Sequence, residues 1–345
     1  MAKKRVTSFD VASKSGVSRA TVSFVLNNVS SVHISEETRK RVIEAAKTLG
    51  YHPDSAGRKL ASGRTNTIGL VLHQSREQVF ADALLPQVVL GMGQAAAENG
   101  FHILMMALEP NDSQGYMGLI QENHVDGIIL SGPQQNDFEL VNLFHDGFPI
   151  ILMGQLPESD LPSVDIDAFA GAKRAVRHLI ENGHQRIAMI TNAPLQYTSA
   201  QQRYAGYLEA LCEIDIDAGN SLLREGSFTP ASGYERMKEL LQVNPAPTAV
   251  FVASDVVALG AMQAIKEAGL RIPQDIAMVG FDDIPLAEYF DPPLTTVRIP
   301  SFNLGWEAGE NLIRLAKGKP LSKQEVLLDS ELIVRASSMR KISRS

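Results

Sequence analysis

The feature that most narrows the fold is a rhythm in the long second part of the chain. Short apolar, β-branched runs at residues 68–72, 103–107, 127–130 and 150–153 alternate with helical stretches such as 87–99. A second series follows, with runs at 186–191, 248–253 and 276–280 and helical stretches at 205–213 and 257–269. Strands that read as continuous apolar runs are buried on both faces, the situation of parallel strands covered by helices. Two series of similar size therefore predict two α/β lobes. Ligands of open parallel sheets bind beyond the carboxyl ends of the strands. That rule makes His73, Gln74, Ser131, Gly154, Ser254, Asp255 and Asp282 the candidate lining of a cleft.

Charge divides the chain at a different place. The net charge of −7 is the sum of +7 over residues 1–64 and −14 over the remainder. A basic module that meets polyanions, joined to an acidic body that does not, fits this split, although basic ends also occur as solubilising tails. No apolar run approaches the roughly 18 residues of a membrane span, and the start, Met-Ala-Lys-Lys-Arg, runs into polar sequence rather than a secretory core, so a cytoplasmic protein is expected. The single cysteine, Cys212, excludes an internal disulfide and is expected to be a buried helix residue.

Within the basic part, three short helices follow from caps and stripes. Thr7 caps a helix over 8–15 with Asp10 closing a capping-box arrangement, and Gly16 ends it. Ser18 caps a second over 19–27, and Ser35 a third that Gly50 stops, with Val42, Ala45, Ala46 and Leu49 as its apolar stripe. The first two read as helix-turn-helix. Val22, Val25 and Leu26 face inward, so Arg19, Ala20, Ser23, Phe24 and Asn27 project outward as a recognition helix would present them to a major groove. Phe24 then touches a thymine methyl, Arg19 a guanine edge or phosphate, and Ser23 and Asn27 bases or backbone. Thr7, Ser18 and Thr21, at the helix starts, join them as candidate DNA contacts. The alternative for Phe24 is that it folds back onto the third helix and reads nothing. Residues 54–62, between Pro53 and Gly63, are too short to hold a helix alone and carry Arg58, Lys59 and the exposed Leu60. Such a segment suits minor-groove insertion coupled to ordering, or serves as a plain linker.

These residues resemble a known family. "VTSFDVASKSGVSRATVSFVLNN", "ISEETRKRVIEAAKTLGYHPD" and "LASGRTNTIGLV" are similar to the headpiece and hinge of the lactose-repressor/galactose-repressor family of bacterial transcription regulators. The likeness continues through "IENGHQRIAMI", "QRYAGYLEAL", "FVASDVVALGAMQAIKEAGLRIPQDIAMVGFDD" and "DPPLTTVRIP". It implies a helix-turn-helix headpiece over 1–54, a hinge over 55–65 with Leu60 intercalating, and a periplasmic-binding-protein-like core over 66–340, then a tail over 341–345. The chain is expected to cross between lobes more than once: a first lobe of about 66–166 plus 300–327, and a second of about 167–299 plus 328–340. Arg19, Ala20 and Phe24 fall at the family's specificity positions, with Phe24 where many relatives carry arginine and Gly57 where the hinge usually has alanine. Arg203 matches its effector-binding arginine and Asp282 the first aspartate of "GFDD". Gly154 stands where some relatives have an acid, and "HQSREQVFADALLP" departs from the usual first-lobe loop.

The function this implies is an allosteric repressor binding near-palindromic operator DNA as a homodimer. An arginine and a carboxylate facing each other across a cleft hold adjacent hydroxyls, so the expected effector is a sugar or related polyol. The alternatives are a nucleobase-type co-repressor as effector, a solute-binding protein without regulatory role, or an Arg203–Asp282 ion pair that only closes a lobe. For Asp255 the alternative is a helix cap. No cofactor is expected. "GMGQAA" lies in a helical stretch rather than after a strand, so it reads as helix packing. His178 and His184 lack ligand partners at metal spacing. No nucleophile, phosphate-loop or metalloprotease motif argues for an enzyme. The ending "ELIVRASSMRKISRS" has too few apolar positions for two heptads, making a dimer the expected limit.

Overall fold

Caps written into the sequence set the first three helices. In the computed structural model, which describes residues 6–27, 32–51, 64–109, 115–134, 138–216 and 220–339, α1 spans Ser8–Ser15. The Asp10 carboxylate accepts both the N–H and the hydroxyl of Thr7 at 2.7 Å, and Gly16, at φ 69°, ends the helix in the left-handed region. The Ser18 hydroxyl accepts the Thr21 N–H at 3.1 Å to open α2 (Arg19–Leu26), and Ser35 does the same for Thr38 at the start of α3 (Glu36–Leu49). Val11, Ala12, Val22, Val25, Val42, Ala45 and Ala46 are buried together, rimmed by Val17, Leu26, Ile34, Leu49 and Tyr51. These helices belong to one compact unit, residues 1–65, and the rest of the chain to a second. The hinge residues Arg58, Lys59 and Leu60, and Gly57, lie outside the described residues.

The second unit contains two sheets of six strands among its described residues. In the first, β1 (Thr67–Leu72), β2 (His102–Ala107), β3 (Ile128–Ser131), β4 (Ile150–Met153) and β5 (Ser163–Ile166) are joined by β11 (Glu325–Leu328) in the order β11-β5-β4-β3-β1-β2, all parallel. In the second, β6 (Ile187–Ile190), β7 (Leu223–Arg224), β8 (Ala249–Val252), β9 (Ala277–Asp282), β10 (Thr295–Arg298) and β12 (Glu331–Ile333) run β12-β10-β9-β8-β6-β7. Only β12, on an edge, is antiparallel to its neighbour. The first lobe carries α4 (Arg76–Ala81), α5 (Leu85–Asn99), α6 (Met117–Gln121), α7 (Phe138–His145) and, from the far end of the chain, α12 (Ser301–Ala316). The second carries α8 (Ala168–Glu181), α9 (Thr198–Cys212), α10 (Pro230–Leu241) and α11 (Asp255–Glu267).

The central strands of each sheet are buried on both faces. Side chains of α5 and α12 cover one face of the first sheet, and Leu119 and Leu140 pack on the other. Residues of α8 and α9 cover one face of the second, those of α10 and α11 the other. The seam between α5 and α12 depends on glycine: a Cβ at Gly91 would stand 2.0 Å from the Phe302 carbonyl oxygen, and one at Gly305 2.0 Å from that of Val88. "GMGQAA" is thus a place where two helix backbones meet.

The chain passes between lobes after Ile166, near residue 299, and again after Leu328. Leu328 pairs with Ile166 in the first sheet, so the last return falls one residue later than the expected boundary of 327/328. Cys212 is exposed at the end of α9, correcting the expectation of a buried residue. His178 meets the Ser338 hydroxyl at 2.8 Å and His184 that of Thr248 at 3.0 Å. Among the described residues no group of three metal-ligating side chains gathers, and no helix is long and apolar enough to cross a membrane.

Candidate functional site

The outward face of α2 is built by the inward one. Once Val22 and Val25 are fixed in the core, Arg19, Ala20 and Ser23 are left exposed. Phe24 is half-buried and takes no part in the apolar cluster of the three helices. The Arg19 Nε donates to the Ser8 hydroxyl at 3.3 Å, and the Asn27 side-chain amide donates to the Ser23 hydroxyl at 3.1 Å. Thr7, Ser18 and Thr21 have their hydroxyls engaged in helix caps, so their first role is to start α1 and α2. Phe9, which carries no local signal of its role, is 65% exposed on α1 although its neighbours Val11 and Ala12 are buried.

In the second unit the carboxyl ends of both sheets converge on a cavity of about 140 Å³. Gln74, Gln78, Asp82 and Leu84 line it from the first lobe; Asn192, Arg203, Phe228, Ser254, Val256 and Asp282 line it from the second. Several contacts hold the lobes closed around it. The Tyr197 hydroxyl donates to the His73 carbonyl at 3.0 Å, Gln202 donates to Gln155, and Gln134 forms a β-bridge with Tyr197. Ala83 and Leu84 of the first lobe pack against second-lobe core residues.

Arg203 and Asp282 form the charged wall. Arg203 projects from α9, donates to the Ala253 carbonyl, lies 4.0 Å over the Phe281 ring and approaches an Asp282 oxygen at 3.5 Å. Both are buried, and both belong to the second lobe. They therefore stand side by side, not across the cleft as the sequence suggested; the opposite wall is Gln74, Gln78 and Asp82. Asp282 ends β9 at φ 123°, a conformation that L side chains rarely adopt and that is kept where the surroundings over-determine it. Its neighbour Asp283 points elsewhere and receives Arg298 and Arg335, each at 2.7 Å. Burial pushes Asp282 up to about 6, with the Arg203 charge offsetting part of that rise. Burial also raises Asp82, against the N–H groups of Leu84 and Leu85 that its carboxylate accepts at 2.8 and 3.3 Å.

Four expected lining residues, Asp255, His73, Ser131 and Gly154, stand outside the lining. Asp255 is fully buried, and its oxygens accept the Ile284 N–H at 3.0 Å and the Thr296 hydroxyl at 2.6 Å, so it pins the start of α11 to the ends of the strands. It is neither a cavity contact nor the helix cap, a position that Ser254 holds. His73 is buried with its ring 3.3 Å from the Gly132 carbonyl, and the Ser131 carbonyl receives the His73 N–H; neither lines the cavity. Gly154 does not line it either: a Cβ there would lie 2.7 Å from Pro133, which leaves no room for the acid some relatives carry. Asn192, two residues after β6, was not among the expected lining residues, although the strand-end rule reaches it. Phe228 follows the two-residue β7, and Asp82 follows the short α4, neither of which has a readable period.

A two-lobed parallel-sheet core closed over a small polar cavity, preceded by a basic helix-turn-helix, defines a ligand-binding, DNA-binding regulator. Comparison with known proteins gives the same class. Residues 9–54 match the model of bacterial regulatory proteins of the lacI family, and 176–338 that of a periplasmic binding protein-like domain. The chain is 36% identical over 339 residues, 97% of its length and 99% of the relative's, to the HTH-type transcriptional regulator CelR of Thermobifida fusca. A solved CelR–cellobiose complex superposes with a TM-score of 0.75 at 34% identity over 96% of this chain and all of that one. The lac repressor dimer bound to operator and an anti-inducer superposes with a TM-score of 0.86 at 30% identity, covering 98% and 100%. The chain belongs to the lacI family: it is a DNA-binding transcriptional repressor with an effector-binding domain, and its relatives are regulators rather than enzymes.

Proposed function

We propose that the chain is a cytoplasmic repressor that holds near-palindromic operator DNA as a homodimer and whose operator affinity is set by a sugar or related polyol in the cavity between its lobes. The observation that carries the ligand assignment is the cavity lining. A guanidinium and a carboxylate sit side by side on one wall, planar amides and a second acid face them, and Phe228 offers an apolar face, which together suit hydroxyls on a compact ring. The cellobiose bound by CelR supports the same ligand class.

On the DNA side, Arg19, Ala20, Ser23, Phe24 and Asn27 read the major groove, while Thr7, Ser18 and Thr21 fix the helix starts against the backbone. Arg58, Lys59 and Leu60 of the hinge serve the minor groove, with Leu60 as the wedge. One small headpiece makes few contacts, and a two-fold dimer doubles them. Apolar side chains left exposed on both lobes, Leu90 and Met105 on the first and Leu259 and Leu286 on the second, support association through the core.

Selection of bound sequences from a random duplex pool tests this reading. A symmetric pair of half-sites should emerge, with affinity falling steeply as salt rises. Binding of a single asymmetric half-site by a monomer, at undiminished affinity, contradicts it.

A further inference from the structure

The cavity is unbalanced in charge and in hydrogen-bonding capacity. Two carboxylates line it, Asp282 from the second lobe and Asp82 from the first, against one guanidinium already in contact with Asp282. Two buried acceptor atoms of the lining, Gln74 Oε1 and Asn192 Oδ1, lack a hydrogen-bond partner, and Asp282 Oδ1 has only the Arg203 guanidinium at 3.5 Å. Arg203 Nε is the one lining donor without a hydrogen-bond partner among the described residues. Buried polar atoms without partners cost free energy until something satisfies them, so the lining calls for a ligand rich in O–H or N–H donors.

We infer that Asp82 makes this cavity selective by charge: the effector is an uncharged or cationic polyhydroxylated molecule, and the carboxylated or phosphorylated form of the same skeleton is turned away. The inference rests on the polyol reading above and sharpens it. An anionic ligand brings acceptors to an acceptor-rich wall and adds a negative charge beside two acids in a water-poor space, where like charges are poorly screened. A neutral polyol donates to Asp82 and Asp282 from opposite sides of one ring, and an amino sugar adds a favourable charge. The two acids already influence each other, since Asp82 is among the groups that raise Asp282. Asp82 stands on the first lobe, so a ligand bridging it to Arg203 and Asp282 links the two lobes directly.

The test uses the full chain, thermal-shift screening and calorimetry, with a panel of matched skeletons. The panel holds glucose, galactose, mannose and cellobiose, the 2-amino forms of the three hexoses, and the hexoses' uronates and 6-phosphates. Binding should be confined to neutral and amino members, with the anionic form of any binder weaker by about tenfold or more, a difference of roughly 1.4 kcal/mol. Asp82→Asn, whose carbonyl can still accept the Leu84 and Leu85 N–H groups, should narrow that gap by about tenfold. An anionic member that binds as tightly as its neutral parent, and loses binding in Arg203→Ala, overturns the charge selection while leaving the cleft reading intact. A gap unchanged in Asp82→Asn removes the role of Asp82. Absence of binding across the whole panel defeats the polyol reading itself and this inference with it.

Discussion

Asp282 and Asp283, adjacent in "GFDD", show how one residue step separates function from framework. Both have positive φ, 123° and 55°, so the backbone turns as the strand ends and sends the two carboxylates apart. The first aspartate enters the cavity beside Arg203, and the second clamps Arg298 and Arg335. A similar division holds on α2, where Phe24 stays out of the apolar cluster that Val22 and Val25 complete. Phe24→Ala should therefore change base preference at one or two positions by roughly 1 kcal/mol, and Leu60→Ala should weaken the specific complex broadly. An unchanged preferred sequence for Phe24→Ala in a binding-site selection means that Phe24 packs and does not read. A titratable residue outside the cavity lining offers a second test. Burial pushes Asp165 up to about 7, with Glu325 and Asp167 adding to the rise and the Ile166 N–H and Arg203 opposing it. Its folded value lies above the ordinary value of about 3.9, so between roughly pH 4 and 7 the folded chain holds more protons than the unfolded one and this group's contribution to stability declines as pH rises. Asp165→Asn should flatten that decline, raising the unfolding temperature at pH 7.5 relative to the parent more than at pH 4.5. Superimposable differences at both pH values contradict the assignment.

At the scale of elements, close approach governs what a substitution costs. Gly91→Ala places a methyl 2.0 Å from a backbone oxygen of α12, and neither helix backbone can yield without disturbing the first-lobe core. The expected loss is about 1–3 kcal/mol in denaturant unfolding, whereas Gly93→Ala on the same helix, with open space around it, should be neutral or stabilising. Equal effects at the two positions contradict the seam. The same elements show what a sequence discloses. The headpiece helices are legible to within a residue because caps and terminal glycines are local chemistry, acting over three or four positions. The strand 150–153 is recovered to the residue, and β9 runs two residues past the expected end at 280 because Phe281 and Asp282 still pair with Val297 and Arg298 of β10. Strands β7, β11 and β12 leave no trace: two to four residues carry no period, and β11 takes its place only through pairing with β5, more than 150 positions earlier. The cavity was half legible for the same reason. Gln74, Arg203, Ser254 and Asp282 were reached by strand ends or by resemblance, while Asp82, Gln78, Phe228 and Val256 depend on how the two lobes close.

The whole molecule combines a basic unit of charge +7 with an acidic one of −14, so the net attraction for a polyanion resides in the headpiece part of the chain. Dimerisation through the core should persist when residues 1–64 are removed, with sedimentation at micromolar concentration giving a dimer; a stable tetramer or a monomer contradicts this. A ligand controls operator affinity only through a difference in its affinity for two lobe arrangements, and the contacts from Tyr197, Gln202 and Leu84 across the cavity are the features of the closed one. The most direct test of the account is an operator titration of the wild type and of Arg203→Ala, each with and without a panel sugar that binds the wild-type core. Adding the sugar should change wild-type operator affinity by about 5- to 150-fold and leave that of Arg203→Ala unchanged. A full response retained by Arg203→Ala at unchanged sugar concentration is the contrary result, because the controlling ligand then acts somewhere other than the cleft between the lobes.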